Sequence, residues 1–119
     1  MALAFNFHWH VVSYEIHSVY IIYELKSTAL FEKWLSKLKD RSGKIKILAR
    51  LDRIQNGNFG DCKQIGKELY ELRFFFGPGY RVYYTIKNNS VVILLAGGDK
   101  ANQTKNIAKA KMILDELEE

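Results

Sequence analysis

Apolar and polar positions alternate most clearly across residues 68–99, ELYELRFFFGPGYRVYYTIKNNSVVILLAGGD. The pattern predicts three antiparallel strands joined at Gly77-Pro78-Gly79 and at Asn88-Asn89-Ser90, because Gly, Pro and Asn between β-branched and aromatic runs mark hairpins. With residues 77–79 as a three-residue loop, Phe76 faces Tyr80, Phe74 faces Val82 and Leu72 faces Tyr84, an apolar set suited to a core. The other parity pairs Phe75 with Arg81, Arg73 with Tyr83 and Glu71 with Thr85. That face carries two arginines, a glutamate and a tyrosine. The run 91–96 is apolar on both faces, as expected of a central strand.

Upstream, residues 19–25 (VYIIYEL) predict a strand, and Ser27 or Thr28 is placed to cap a helix. Phe31, Trp34, Leu35 and Leu38 recur at helical spacing, with Lys33, Lys37 and Lys39 off the stripe. After a break at 40–43, a second helix spans about 44–55 and buries Ile47, Leu48, Leu51 and Ile54. Asn56-Gly57 ends it. So short a link implies an antiparallel helical hairpin. Residues 58–67 read as a loop in which Lys63 and Lys67 could approach a phosphate. Past the third strand comes Gly97-Gly98-Asp99-Lys100, without the spacing of a phosphate-binding GxxxxGK[ST] loop. A last helix, 102–117, carries Ile107, Ala110, Leu114 and Leu117. The acidic tail opposes its dipole, so its end is expected to fray. Residues 1–18 differ in composition and read as an extension; residues 19–119 read as one domain. His8 and His10 share one side of a strand, but no further ligands lie close by and no metal site is expected.

Composition adds charge and compartment. One domain of 119 residues can bury a core. The net charge is +5 and the pI about 9.3. Most of the Lys and Arg fall within 26–67, which suggests a polyanionic partner such as RNA or DNA. Cys62 is the lone cysteine, so no intrachain disulfide forms. It reads as a small, semi-buried residue without a histidine nearby to activate it. No apolar run approaches a membrane span, and residues 1–14 lack the basic start of a signal peptide. The cytoplasm is the expected compartment.

The order strand, two helices, three strands, helix, with FEKWLSKLKD (31–40), RLDRIQNGNFGD (50–61), YELRFFFGPGYRVYYTI (70–86) and LLAGGDKANQTKNIAKAK (94–111), resembles the RelE/ParE superfamily of toxin–antitoxin toxins. Within it, the chain is most similar to the HigB-like addiction module killer proteins. The resemblance runs from about residue 20 to 117. It implies an α+β fold, β-α-α-β-β-β-α, in which an antiparallel sheet carries the helical hairpin on one face and a C-terminal helix follows. It implies an endoribonuclease that cuts mRNA on the ribosome and needs no cofactor. A cognate helix-turn-helix antitoxin would neutralise it in a hetero-oligomer.

Such cleavage needs a base for the ribose 2′-OH, positive charge on the phosphorane and an acid for the 5′-oxygen. The matched region has no histidine; the resemblance implies Lys, Arg and Tyr chemistry instead. Arg73 and Arg81 are the candidates for phosphate and transition-state charge. Tyr83 would stack on a base or share in proton transfer. Asp99 and Lys100 would move protons or hold the arginines. Lys37, Lys63 and Lys67 are the candidate RNA contacts. Two other readings remain: a gyrase-directed toxin of the ParE branch, and a non-catalytic remnant that binds antitoxin.

Overall fold

The computed structural model describes the backbone of residues 2–5 and all of residues 22–118. His8, His10 and the first residues of the 19–25 strand lie outside the described residues. The elements are β1 (Ala2–Phe5), β2 (Glu24–Ser27), α1 (Ala29–Lys37), α2 (Arg41–Ile54), β3 (Cys62–Gly66), β4 (Leu69–Arg73), β5 (Arg81–Lys87), β6 (Val91–Gly98) and α3 (Gln103–Leu117), with a 3-10 turn at Lys100–Asn102 before α3. The strands form one sheet in the order β1-β2-β6-β5-β4-β3. The class is α+β, as expected, but the sheet is mixed: β2 runs parallel to β6. Helices α1 and α2 carry the chain from β2 to the far edge at β3. The meander then returns inward until β6 lies beside β2.

Alternation along β5 separates two cores. Val82 and Tyr84 join Leu25, Phe31, Leu35, Ile47, Leu51, Ile54, Leu72 and Leu94 under α1 and α2. Tyr83 joins Leu69, Ile93, Leu95, Ala110 and Leu114 under α3. Strand β6 is buried on both faces, as its unbroken apolar run predicts.

Thr28 is the cap of α1; its hydroxyl oxygen accepts from the Phe31 amide at 3.1 Å. The same hydroxyl donates to the Leu95 carbonyl at 2.7 Å. Leu95 is the extra residue of a bulge, because Tyr84 pairs with Leu94 whereas Tyr83 pairs with Ala96. The bulge inverts the side-chain parity beyond it. Gly97 therefore turns toward α1, where a Cβ would lie 2.2 Å from the Trp34 ring, and Gly98 turns toward Asn106 of α3. Only glycine fits at Gly97.

Several boundaries differ from expectation. Asp40 caps α2 by accepting from the Gly43 amide at 3.0 Å, so the break is shorter than 40–43 and Gly43 is helical. A Cβ at Gly43 would meet the Tyr80 ring at 2.8 Å, which accounts for a glycine inside a helix. Residues 62–66 of the expected loop form edge strand β3. Its first three residues are exposed and only Ile65 is a large apolar residue, so no alternation can be read, and pairing with β4 creates the strand. The end of α3 is tied down: Lys87 Nζ contacts Glu118 and lies 3.6 Å from Glu68, which counters the fraying expected of an acidic terminus. No helix of the described residues is long and apolar enough to cross a membrane.

Candidate functional site

The first hairpin is shifted by two residues from the expected register. Leu72 pairs with Val82 and Arg73 with Arg81; Glu71, not Arg73, pairs with Tyr83. Residues 74–80 form the connection, closed by Phe74 N to Tyr80 O at 3.1 Å and Gly79 N to Phe76 O at 3.0 Å. Gly77 and Gly79 both have left-handed φ, so the turn is wider than a three-residue loop. A two-residue shift preserves parity. The apolar face was therefore read correctly while the partners were not.

This register sets two guanidinium side chains on opposite positions at one end of the sheet. Like charges directly opposite repel, and each arginine has its own carboxylate. Arg81 is 5% exposed. Its Nη1 donates to the carbonyls of Gly79 (3.0 Å) and Tyr80 (3.1 Å), and its Nε lies 3.9 Å from Glu71 Oε2. Glu71 is 2% exposed and accepts a 2.7 Å hydrogen bond from Gln103 Nε2 of α3. Arg73 is one-third exposed and its Nη2 donates to Asp61 Oδ1 at 3.0 Å. The two arginines therefore differ in kind: Arg81 is fixed, whereas Arg73 holds an exchangeable surface partner.

Tyr83 is fully buried under α3, so a nucleobase cannot reach its ring in this arrangement. Burial, then the charge of Glu71, pushes its hydroxyl well above the ordinary phenol range. Asp99 and Lys100 lie at the same sheet end. Asp99 Oδ1 accepts from the Asn102 amide and Nδ2, both at 3.0 Å, and so caps the 3-10 turn. The Lys100 amide faces Pro78 O at 3.4 Å. A Cβ on Gly79 would stand 3.3 Å from Lys100 Cβ and 3.5 Å from Arg81 Nη1. The glycine turn thus brings Lys100 beside Arg81, which pairs with Arg73 across the strands, and Asp99 precedes Lys100 at the same sheet end; the Arg73 guanidinium itself turns to Asp61 and Phe75.

The three RNA-contact candidates are dispersed. Lys63 is exposed on edge strand β3, paired with Glu71. Lys67 is exposed in the β3–β4 turn, at the other end of β4 from Arg73; six residues at about 3.3 Å each place it roughly 20 Å away. Lys37 ends α1, one turn beyond Trp34, whose ring meets Tyr80 at 6.1 Å. Cys62 is exposed rather than semi-buried, because edge strand β3 leaves it uncovered.

A second feature adjoins Arg73. A groove of about 320 Å³ between α2 and the 74–80 connection is lined by Lys46, Arg50, Arg53, Asp61, Arg73 and the phenylalanines 74–76. Arg50 is buried and donates to the carbonyls of Phe59, Asp61 and Arg73, with its guanidinium 4.7 Å from the Phe74 ring centroid. Burial draws its pKa below the ordinary value and Asp61 opposes that shift. Arg50 thereby fixes the loop that presents Asp61 to Arg73. Neither Lys46 nor Arg53 has a salt-bridge partner among the described residues. Sequence reading missed Arg50, Arg53, Glu71 and Gln103 as site components. Phe75, on the otherwise polar parity of the hairpin, was the one available signal.

The family model described as Phage derived protein Gp49-like (DUF891) matches residues 33–117. An uncharacterized protein of Haemophilus influenzae is 50% identical over 94 residues, covering 79% of this chain and 95% of that protein. The solution structure of a conserved hypothetical protein from Helicobacter pylori matches with a TM-score of 0.48 at 18% identity, covering 67% of this chain and 96% of that one.

Proposed function

The chain belongs to the phage-derived Gp49-like family (DUF891), and from that membership we propose that it is the toxin of a toxin–antitoxin module, acting as an endoribonuclease on mRNA. The observation that carries the reading is the opposed pair Arg73 and Arg81 beside Lys100 at one sheet end. A purely structural sheet gains nothing from two opposed cations. A phosphodiester passing through a doubly charged phosphorane gains from both.

In the proposed reaction the ribose 2′-oxygen attacks the adjacent phosphorus, the P–O5′ bond breaks, and a 2′,3′-cyclic phosphate and a 5′-hydroxyl result. Arg73 engages the phosphate. Its ion pair with Asp61 is partly exposed, and such pairs are worth only about 0–1 kcal/mol, so exchange for a phosphate is easy. Arg81 stays anchored to its carbonyls and Glu71 and supplies fixed positive charge. Asp99, whose Oδ2 lies outside its capping bonds, takes the 2′-OH proton. Lys100 donates to the departing 5′-oxygen. Tyr83 is a positioning residue here, packed against Glu71. The target is mRNA on the ribosome, in the cytoplasm. A helix-turn-helix antitoxin silences the protein in a hetero-oligomer.

The test is induced expression without antitoxin, comparing wild type with Arg73→Ala while mapping RNA 5′ ends. Arg73 is the better probe than Arg81, because its partial exposure lets the variant fold. New 5′-hydroxyl ends and growth arrest, both lost in the variant, are expected. Arrest with intact mRNA would point to a gyrase-directed toxin. A folded wild-type protein without effect would point to an antitoxin-binding remnant.

A further inference from the structure

We propose that the groove between α2 and the 74–80 connection binds single-stranded RNA, with Phe75 as the platform for one base and Lys46, Arg53 and Arg73 around the flanking phosphates. The proposal rests on the ribonuclease reading and extends its site away from the reacting phosphate.

Phe75 is 75% exposed, the most exposed of the large hydrophobic side chains among the described residues. Nothing in the core requires a phenylalanine there; Phe74 and Phe76 on either side of it pack into the α1/α2 core. Phe75 nevertheless stands beside a guanidinium, with Arg73 5.5 Å from its ring centroid. Lys46 lies 4.6 Å from the ring of Phe76. The groove thus offers four cations, Lys46, Arg50, Arg53 and Arg73, with one carboxylate, Asp61, and an open aromatic face. A groove of positive charge with a stacking surface is the arrangement that holds a single strand, because every base has a π-face and every nucleotide a phosphate.

Arg50 is the scaffold of this site and not a phosphate ligand. Its three carbonyl bonds engage all three of its nitrogens and hold residues 59–61 against the end of β4. Gly60, with φ +71°, lets the chain pass the guanidinium; a Cβ there would lie 2.8 Å from Arg50 Nε. The floor of the groove is therefore held in place, while Phe75 and Arg53 stand exposed above it. Because Arg73 belongs to both the groove and the sheet end, a strand seated on Phe75 leads directly to the proposed scissile phosphate.

The experiment measures anisotropy of short labelled oligonucleotides with 2′-O-methyl riboses, which cannot be cleaved. The proteins are wild type, Phe75→Ala, Phe75→Leu and Arg53→Ala, each checked for an unchanged melting temperature. One oligonucleotide carries a central abasic position. Phe75→Ala is expected to weaken binding roughly 5- to 150-fold, the range for one stacked base. Phe75→Leu, which keeps apolar bulk without a π-face, is expected to lose most of the same amount. The Phe75→Ala loss should shrink on the abasic strand. Arg53→Ala should lower the salt slope by about 0.7, as for one phosphate on a single strand.

Wild-type affinity in Phe75→Ala, or no oligonucleotide binding by any protein, overturns the groove while leaving the ribonuclease reading to its own test. Binding as expected without RNA cuts in cells overturns the ribonuclease reading and leaves the groove. If Phe75→Ala binds oligonucleotide normally but no longer co-purifies with the antitoxin, the occupant is a protein and the proposal fails.

Discussion

Arg81→Ala removes the guanidinium beside Glu71 and leaves that carboxylate where it is, 2% exposed under α3. What remains is one hydrogen bond from Gln103. The Gly79 carbonyl loses the Arg81 donor at the same time, and the Tyr80 carbonyl keeps the Phe74 amide. Breaking a buried pair by removing one partner costs about 3–5 kcal/mol. Against a total stability of about 5–15 kcal/mol for a domain of this kind, that is a large share. Urea unfolding followed by tyrosine and tryptophan fluorescence reads it directly. With a slope of about 1.5 kcal/mol/M, the midpoint should fall by roughly 2–3 M. The double variant Arg81→Met/Glu71→Leu should recover most of the loss, since replacing both partners by apolar groups is often neutral. A fall below about 1 kcal/mol in Arg81→Ala would refute the reasoning. It would mean that Glu71 does not depend on Arg81, and that Arg81 is present for function alone. The consequence for genetics is direct: loss of toxicity in Arg81→Ala would report unfolding before it reported chemistry.

Four further outcomes follow from the geometry. Thr28→Val removes both the cap of α1 and the hydroxyl bond to the Leu95 bulge, and should cost about 1–2 kcal/mol in a thermal melt. Gly97→Ala drives a methyl into the Trp34 ring, and overpacking of this kind should destabilise by about 1–3 kcal/mol, with a shift in tryptophan fluorescence. Tyr80, buried and donating to Asp40 at 2.8 Å, is pushed up to about 12; its contribution is complete below pH 10 and lost as the pH climbs to about 12, so Tyr80→Phe should flatten stability over that window. Asp40 runs the other way: the hydrogen bond it accepts from the Gly43 amide, then that from the Tyr80 hydroxyl, lower its pKa, so its contribution is present above the ordinary carboxylate range and fades as acid protonates it, and Asp40→Asn should be less acid-sensitive than wild type.

Local rules determined the helices, their buried stripes and the central strand, because a period of 3.6 or 2 is written in the residue order itself. Thr28 is a cap that a sequence announces, whereas Asp40, read as part of a break, showed itself as a cap only in the structure. The apolar parity of the hairpin was equally legible, since a two-residue shift cannot change it. Its partners were not legible. Gly77 and Gly79 adopt left-handed φ and widen the turn, so Arg73 meets Arg81 instead of Tyr83. Edge strand β3 has no pattern of its own and exists because β4 offers it hydrogen bonds. The parallel pairing of β2 with β6 and the Leu95 bulge are long-range choices. They bring Trp34 onto Gly97 and Asn106 toward Gly98. Resemblance and strand parity nominated Arg73, Arg81, Asp99 and Lys100 as candidates. Burial alone decided which of the arginines is fixed and which is free to exchange. Arg50, Asp61 and Phe75 came to line one groove only when α2 packed beside the end of β4, because a groove is a property of two surfaces and neither segment contains it.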